Sequence, residues 1–270
     1  MLINDFGSKV VLNRFIDLFG FHKIYEQKLV SQITNDLLPN HIAIVLDGNR
    51  RWAKYNLVGI RRGHFMGADK AEELLNWIHD LGIKITTLYV LSNENLLRDD
   101  NELNNIYDLL QFKLEKLRTD SRIHKRQMKI KAIGDVNLLP EKLQTILKVL
   151  ENETEQYNSM FLNIAIAYGG QKELVTAIKK IGEMILTHKI GIDDIDEKTI
   201  ESCLYTSHLP QPAPDLILRT SGEKRLSGFL LWQSAYSELI FMDVFWPEFR
   251  KIDLLRAIRT YQQRIRRFGK

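Results

Sequence analysis

Residues 41–47 read HIAIVLD and run without a break into Gly48-Asn49-Arg50-Arg51-Trp52. The first five residues are almost continuously aliphatic, with no alternation of apolar and polar positions. That pattern predicts a strand covered on both faces, as in a parallel sheet whose crossover helices pack on either side. The strand then stops in a carboxylate, a glycine, an amide and two guanidinium groups. In open α/β sheets, ligands gather beyond the carboxyl ends of the strands. The residues after Val45 are therefore where chemistry is expected, and the same reading extends to every other strand.

Five further strands follow, at Ile85 to Ser92 (ITTLYVLS), Met128 to Asp135 (MKIKAIGD), Phe161 to Tyr168 (FLNIAIAY), Asp215 to Arg219 (DLILR) and Glu238 to Val244 (ELIFMDV). Helical patterns lie between them. Gly67 to Leu81 places Ala71, Leu74, Leu75, Ile78 and Leu81 at helical spacing, and Leu139 to Tyr157 repeats Leu143, Ile146, Leu147 and Leu150 behind Pro140. The alternation of strand and helix predicts an α/β class, with a mostly parallel sheet and helices on both sides. At 270 residues, 44% of them hydrophobic, the chain suits one large domain with an appendage. Residues 10–33 form that appendage, with Val11, Phe15, Phe19, Ile24, Leu29 and Val30 on one or two amphipathic helices. The simple expectation is a helix docked on the domain. The functional alternative is a helix lying at a membrane surface, with Arg14, Lys23 and Lys28 near lipid head groups.

Three strand tips carry anion-binding chemistry. At the first, Asp47 can hold Mg²⁺, Gly48 permits close approach of backbone, and Asn49, Arg50 and Arg51 can grip phosphate oxygens. At the second, Ser92-Asn93-Glu94-Asn95 is followed by Arg98, although Ser92 or Asn95 would serve equally well as a helix cap. At the third, Arg219 and Arg225 flank a loop with Thr220, Ser221, Gly222 and Ser227, a candidate cradle for a diphosphate. Glu238 offers a second carboxylate. Each tip alone is also a plausible solvated turn; three of them on one sheet argue for a phosphorylated ligand.

Composition and missing motifs narrow the class. The 38 basic and 34 acidic residues leave a net charge of only +4, which argues against a dedicated nucleic-acid binder. No GxxxxGK[ST] or GxGxxG loop follows the first strand, and no paired-cysteine or HExxH spacing supports zinc. The acidic run Asp193-Asp194-Ile195-Asp196-Glu197 sits at a loop-to-helix junction and reads as capping. The single cysteine, Cys203, excludes an internal disulfide and reads as a small core residue. No cleavable leader and no apolar run of about 18 residues is seen, so the expected location is cytoplasmic or peripheral at a membrane.

Taken together, HIAIVLDGNRRWAK (41–54), GHFMGADK (63–70), LYVLSNEN (88–95) with Arg98, LNIAIAYGG (162–170), PDLILRTSGEKRLSGFLLWQSAYSEL (214–239) and FWPEF (245–249) closely resemble the cis-prenyltransferase family. That family includes undecaprenyl and dehydrodolichyl diphosphate synthases. The blocks occur in family order, and KIYEQKLVSQI before Leu38 looks like the leader of archaeal members. The resemblance implies a catalytic domain over residues 38–270, with residues 1–37 as the helical extension. It implies six mainly parallel strands, an apolar product tunnel and a homodimer. The implied activity is condensation of isopentenyl diphosphate with an allylic diphosphate primer, farnesyl or geranylgeranyl diphosphate, to make a long polyprenyl diphosphate, with Mg²⁺ as cofactor.

The resemblance also assigns roles. Asp47 would hold Mg²⁺, supported by Glu238, and Asn95 is a candidate in proton removal. Gly48, Asn49, Arg50, Arg51, Trp52 and His64 would surround the allylic diphosphate, while Ser92, Asn93, Glu94 and Arg98 would line the reacting centre. Arg219, Arg225 and Ser227 would bind isopentenyl diphosphate, and the tail Arg267-Phe268-Gly269 would reach a site across the dimer. The chain departs from the pattern at Ile60, where many members have arginine and where Arg61 is the candidate substitute. It also departs at Leu91, Leu96 and Lys224. A rival class is a non-catalytic partner subunit of a heteromeric enzyme, but such subunits typically lose the first-strand aspartate motif, which is present here.

Overall fold

A computed structural model describes residues 21–33 and 37–264. Their contacts divide into two compact units, one over residues 39–248 and one that joins the segments before 39 and after 248.

The larger unit is built on a six-stranded sheet: β1 (His41–Val45), β2 (Ile85–Ser92), β3 (Met128–Ile133), β4 (Met160–Tyr168), β5 (Leu216–Arg219) and β6 (Glu238–Phe241). The order is β3-β4-β2-β1-β5-β6, and every neighbouring pair is parallel. The expected mainly parallel sheet is thus wholly parallel. All five residues of β1 are buried, as its unbroken apolar run requires. The helices are α2 (Asn49–Tyr55), α3 (Ile60–Asp80), α4 (Asp100–Arg118), α5 (Ser121–Lys125), α6 (Glu141–Thr154), α7 (Gly170–Leu186) and α8 (Glu197–Cys203). On one face of the sheet, Ala43, Val45, Tyr89, Ala165 and Ile217 form a core with Phe229 and Leu230. The other face turns Leu88, Val90, Leu162 and Ile164 toward α3 and α4.

Helix α3 begins seven residues before the expected Gly67. Its two early glycines obscured the start in the sequence, because glycine is unfavourable inside a helix. Here they permit close packing: a Cβ on Gly63 would lie 2.4 Å from the Asn49 carbonyl oxygen, and one on Gly67 would lie 2.3 Å from Asn49 Oδ1. Helix α2 is thereby seated directly against α3. The acidic run behaves as expected, since Asp196 caps α8 by accepting the Thr199 N–H at 2.8 Å. Cys203 is buried beside Ala177 and Ile181.

The smaller unit pairs α1 (Phe21–Gln32) with α9 (Lys251–Gln263). Lys251 reaches Glu26 at 2.9 Å, and the Arg256 guanidinium lies 5.1 Å from the Tyr25 ring centre. Leu29 is buried, while Ile24 and Val30 are exposed. Residues 10–20 of the expected amphipathic segment lie outside the described residues. No helix among the described residues is long and apolar enough to cross a membrane.

Candidate active site

The carboxyl ends of β1, β2 and β5 open onto one polar cleft of about 680 Å³. It is lined by Asp47, Gly48, Asn49, Arg50, Arg51, His64, Ser92, Glu94, Asn95, Arg98, Arg219 and Ser227. Twelve residues picked out in the sequence are therefore brought together. Gly48 makes the turn out of β1 at φ 110°, and a Cβ there would lie 2.9 Å from the Ser221 Cβ. Only glycine adopts this conformation freely, and the space is already taken.

Two carboxylates organise the cationic groups. Asp47 accepts a hydrogen bond from Arg219 Nη2 at 2.8 Å and pairs with Arg51 Nη2 at 3.2 Å. Burial disfavours ionisation of Asp47, but the Arg219 hydrogen bond and the charges of Arg51 and Arg219 outweigh it and hold the carboxyl below its ordinary range. Arg219, itself buried, also donates through Nη1 to Ser227 Oγ at 2.8 Å and to the Arg225 carbonyl. Arg51 continues to Glu223 at 2.9 Å and to Ser221. Ser221 and Ser227 both take positive φ, 73° and 50°, conformations uncommon outside glycine.

The second organiser, Glu102 on α4, was not singled out in the sequence. Its Oε1 accepts from Arg98 at 3.0 Å and lies 3.3 Å from His64 Nε2, while Oε2 is 3.8 Å from Arg50. Burial lowers the pKa of His64, opposed by the Glu102 hydrogen bond. The one available signal was its four-residue spacing from Arg98, which lies in extended backbone just ahead of α4. Tyr89 was also missed: it lines the cleft from β2 and stacks on Phe229 with ring centres 4.6 Å apart.

Asn95 does two things at once. Its Oδ1 accepts the Ser92 N–H at 3.3 Å, and its own N–H donates to Ser92 Oγ at 3.2 Å, a reciprocal cap on the turn at Asn93–Leu97. The capping reading was right, and the same bonds fix the Asn95 amide in the cleft wall.

Other expected residues lie elsewhere. Trp52 points away to Glu248, which accepts its Nε1–H at 3.1 Å. Arg61, the candidate substitute for the arginine absent at Ile60, is exposed, lies over the Phe65 ring and is not among the residues that line the cleft. Asn93 packs beside Gly169, outside the cleft lining. The Arg225 side chain is 66% exposed and pairs with Glu223 at 2.8 Å; only its carbonyl touches Arg219. Glu238 is level with Leu216 at the amino end of its strand, whereas Arg219 is level with Val45 and Phe241. At least three strand residues, on the order of 10 Å, separate Glu238 from the level of Asp47, so one chain does not bring the two together. Arg267 and Gly269 lie outside the described residues.

No group of three or more His, Cys, Asp or Glu side chains able to hold a metal occurs among the described residues. An ionised Asp47 on the wall of an arginine-lined cleft still fits Mg²⁺, which is commonly held by one or two carboxylates plus substrate phosphates and water.

Beside the cleft, a second cavity of about 160 Å³ runs between α3, α4 and the sheet. Its walls are mainly Ala68, Ala71, Leu75, Leu109, Leu114 and Ile164. Leu46, Asn49, His64, Val90 and Ile106 line both spaces, so the polar cleft and the apolar cavity share a wall.

Comparison with known proteins follows the same direction. A family profile for undecaprenyl diphosphate synthases matches residues 45–269. The chain is 47% identical over 270 residues to a tritrans,polycis-undecaprenyl-diphosphate synthase (geranylgeranyl-diphosphate specific) of Methanocaldococcus jannaschii, covering 99% of this chain and 96% of that one. It is 46% identical to the protein of the same name from Methanopyrus kandleri, covering 99% of each. A crystal structure of lavandulyl diphosphate synthase from Lavandula x intermedia, in complex with dimethylallyl diphosphate, superposes with a TM-score of 0.82. That match has 35% identity and covers 87% of this chain and all of the other.

Proposed function

The chain belongs to the undecaprenyl diphosphate synthase family of cis-prenyltransferases, and we propose that it extends geranylgeranyl diphosphate with isopentenyl diphosphate to a long polyprenyl diphosphate of the undecaprenyl type. The observation that carries this reading is the shared wall between an arginine-lined cleft and an apolar cavity. An allylic diphosphate needs both, one for its head and one for its tail. The printed names of the two archaeal relatives favour geranylgeranyl over farnesyl diphosphate as primer.

In this proposal the allylic head sits by Arg50, His64 and Arg98, a group whose His64 also lines the apolar cavity. Isopentenyl diphosphate takes the side of Arg219 and Ser227. As the allylic carbon–oxygen bond breaks, negative charge grows on the departing diphosphate, and pre-placed guanidinium groups stabilise it without reorganising. Mg²⁺ at Asp47 would add Lewis-acid stabilisation of that charge. The isopentenyl double bond then attacks the allylic carbon, and loss of one proton, next to the fixed Asn95 amide, leaves a neutral chain one unit longer. Tyr89 and the apolar wall keep water from the reacting carbon. The proposal includes a homodimer completed by the carboxyl-terminal tail, a cytoplasmic location, and peripheral membrane contact through the exposed Ile24 and Val30 of α1.

The test is incubation of pure protein with labelled isopentenyl diphosphate, Mg²⁺ and either primer, followed by chromatography of the products. Label should enter long products, faster from geranylgeranyl than from farnesyl diphosphate, and chelation should stop it. Absence of incorporation with every primer would reject the catalytic reading in favour of a non-catalytic subunit.

A further inference from the structure

The connection between α2 and α3 exposes what a water-facing turn normally hides. All nine residues from Lys54 to Arg62 are exposed. Four of them are large and apolar: Tyr55, Leu57, Val58 and Ile60, at 49%, 95%, 39% and 44% exposure. Backbone bonds nevertheless close the turn. The Leu57 N–H donates to the Lys54 carbonyl at 3.3 Å and the Val58 N–H to the Ala53 carbonyl at 2.9 Å, the paired bonds of a Schellman cap. Tyr55 leans on Phe245, with ring centres 6.5 Å apart. The apolar side chains are thus held out on a closed turn.

Two local choices work against stability in water. Leu57 takes the left-handed position of the cap, at φ 55°, where glycine or asparagine is usual and a bulky side chain is strained. At 95% exposure it buries almost nothing in return. The first turn of α3 then carries Arg61 and Arg62 and no acidic residue, although positive charge at a helix amino end opposes the helix dipole. No Asp or Glu occurs anywhere from Gly48 to Ala68, in a chain whose 38 basic and 34 acidic residues nearly balance. Arg50 and Arg51 of this stretch turn to Glu102, Asp47 and Glu223. Lys54, Arg61 and Arg62 stay exposed beside the apolar side chains. Both choices are unfavourable in water and favourable against a surface that is anionic outside and apolar beneath.

We infer that residues 54–62 are a membrane-docking turn of the larger unit, which binds a bilayer carrying anionic lipid. Leu57, with Val58 and Ile60, enters the boundary between head groups and acyl chains. Tyr55 lies at the interface, where its ring and hydroxyl suit the two sides. Lys54, Arg61 and Arg62 meet the lipid phosphates, and their long stems follow the apolar side chains while the charges stay in the head-group layer. A nucleic acid would match the charge but leave the apolar tip in water; a bilayer satisfies both. This contact is separate from the one proposed for α1 and does not depend on the prenyl-elongating reading.

The experiment places an environment-sensitive fluorophore on Leu57→Cys, which the burial of Cys203 makes selective. Vesicles of phosphatidylcholine, alone or mixed with phosphatidylglycerol, are then added. Emission should shift to the blue on the mixed vesicles, and the shift should shrink as salt is raised. In co-sedimentation, Leu57→Asn should lower partitioning about 10-fold, the scale of one buried leucine. Its melting temperature should stay level or rise, because asparagine tolerates this backbone conformation. Lys54→Gln combined with Arg62→Gln should lower binding to the mixed vesicles about 10-fold and leave binding to phosphatidylcholine alone unchanged. Protein that sediments with vesicles while the label stays water-like would overturn the turn as the contact, as would absence of sedimentation. A lowered melting temperature with unchanged partitioning in Leu57→Asn would also overturn it, by showing a purely structural turn. A label that shifts with protein concentration alone would overturn it in favour of a second copy of this chain.

Discussion

Arg219 donates to Asp47 across 2.8 Å, joining the tips of the neighbouring strands β5 and β1. Arg219 is 5% exposed, and its Nε is buried without a hydrogen-bond partner. A buried guanidinium with one arm on a carboxylate, another on Ser227 and a third group unsatisfied is poised for an additional anion.

Asp47→Ala is expected to lower turnover by about 10²-fold or more, the scale of losing one pre-organised electrostatic group. It also leaves Arg219 without its charged partner, so stability should fall by roughly 1–3 kcal/mol. Asp47→Asn retains an acceptor and should recover most of that stability but little turnover. Steady-state kinetics and thermal melts on both variants separate the two effects; normal turnover in either one contradicts the assignment.

Glu102→Gln removes the charge that gathers Arg50, His64 and Arg98. Misplaced binding groups cost about 10- to 100-fold when the reacting geometry shifts by an ångström. The loss should appear in kcat/KM for the allylic substrate, with a smaller change in the KM for isopentenyl diphosphate. An equal loss for both substrates would place Glu102 at neither diphosphate in particular.

Arg219→Ala and Arg225→Ala should differ. Both stood as diphosphate ligands in the sequence, but the Arg225 side chain is 66% exposed and directed to Glu223, while that of Arg219 lines the cleft. Replacing Arg219 should raise the KM for isopentenyl diphosphate at least 10-fold, and replacing Arg225 should change it several-fold less. Equal effects would show that Arg225 swings inward when substrate binds.

Acid should weaken the fold through two histidines. His41 and His208 belong to a polar chain across the sheet: His41 Nε2 lies 2.8 Å from Thr87 Oγ1, Asn163 Nδ2 donates to that oxygen at 3.2 Å, and His208 Nε2 lies 3.0 Å from Asn163 Oδ1. Burial lowers both pKa values to about 4 from the usual 6.5. Neutral histidine is what the folded state prefers, so this stabilisation is complete above pH 6.5 and is lost as pH falls toward 4, where the unfolded chain binds more protons. Melting temperature should drop across that interval, and His208→Gln should flatten the slope. A slope unchanged in His208→Gln would remove His208 from this account.

Much of the site was legible because of how parallel sheets are made. Strands buried on both faces announce themselves as unbroken aliphatic runs, and whatever follows each run emerges at the same end of the sheet. His41–Val45 therefore identified Asp47, Ile85–Ser92 identified the Asn95 turn, and Leu216–Arg219 identified the Ser227 loop, all without knowledge of strand order. Glu238 failed the same logic because it begins its strand instead of ending it, as its place at the head of ELIFMDV already indicated.

The chain by itself determined the fold class, the three reactive strand tips and the helical faces between them, because these depend on local periodicity and on residues adjacent in sequence. The tertiary structure alone decided which tips converge, that Glu102 gathers Arg50, His64 and Arg98, and that Arg225 and Trp52 turn away. Those outcomes depend on strand order, on register and on how closely α2, seated on Gly63 and Gly67, approaches α3. Most are pairings between residues tens of positions apart, whose energies arise only once packing has removed water and brought the charges within reach.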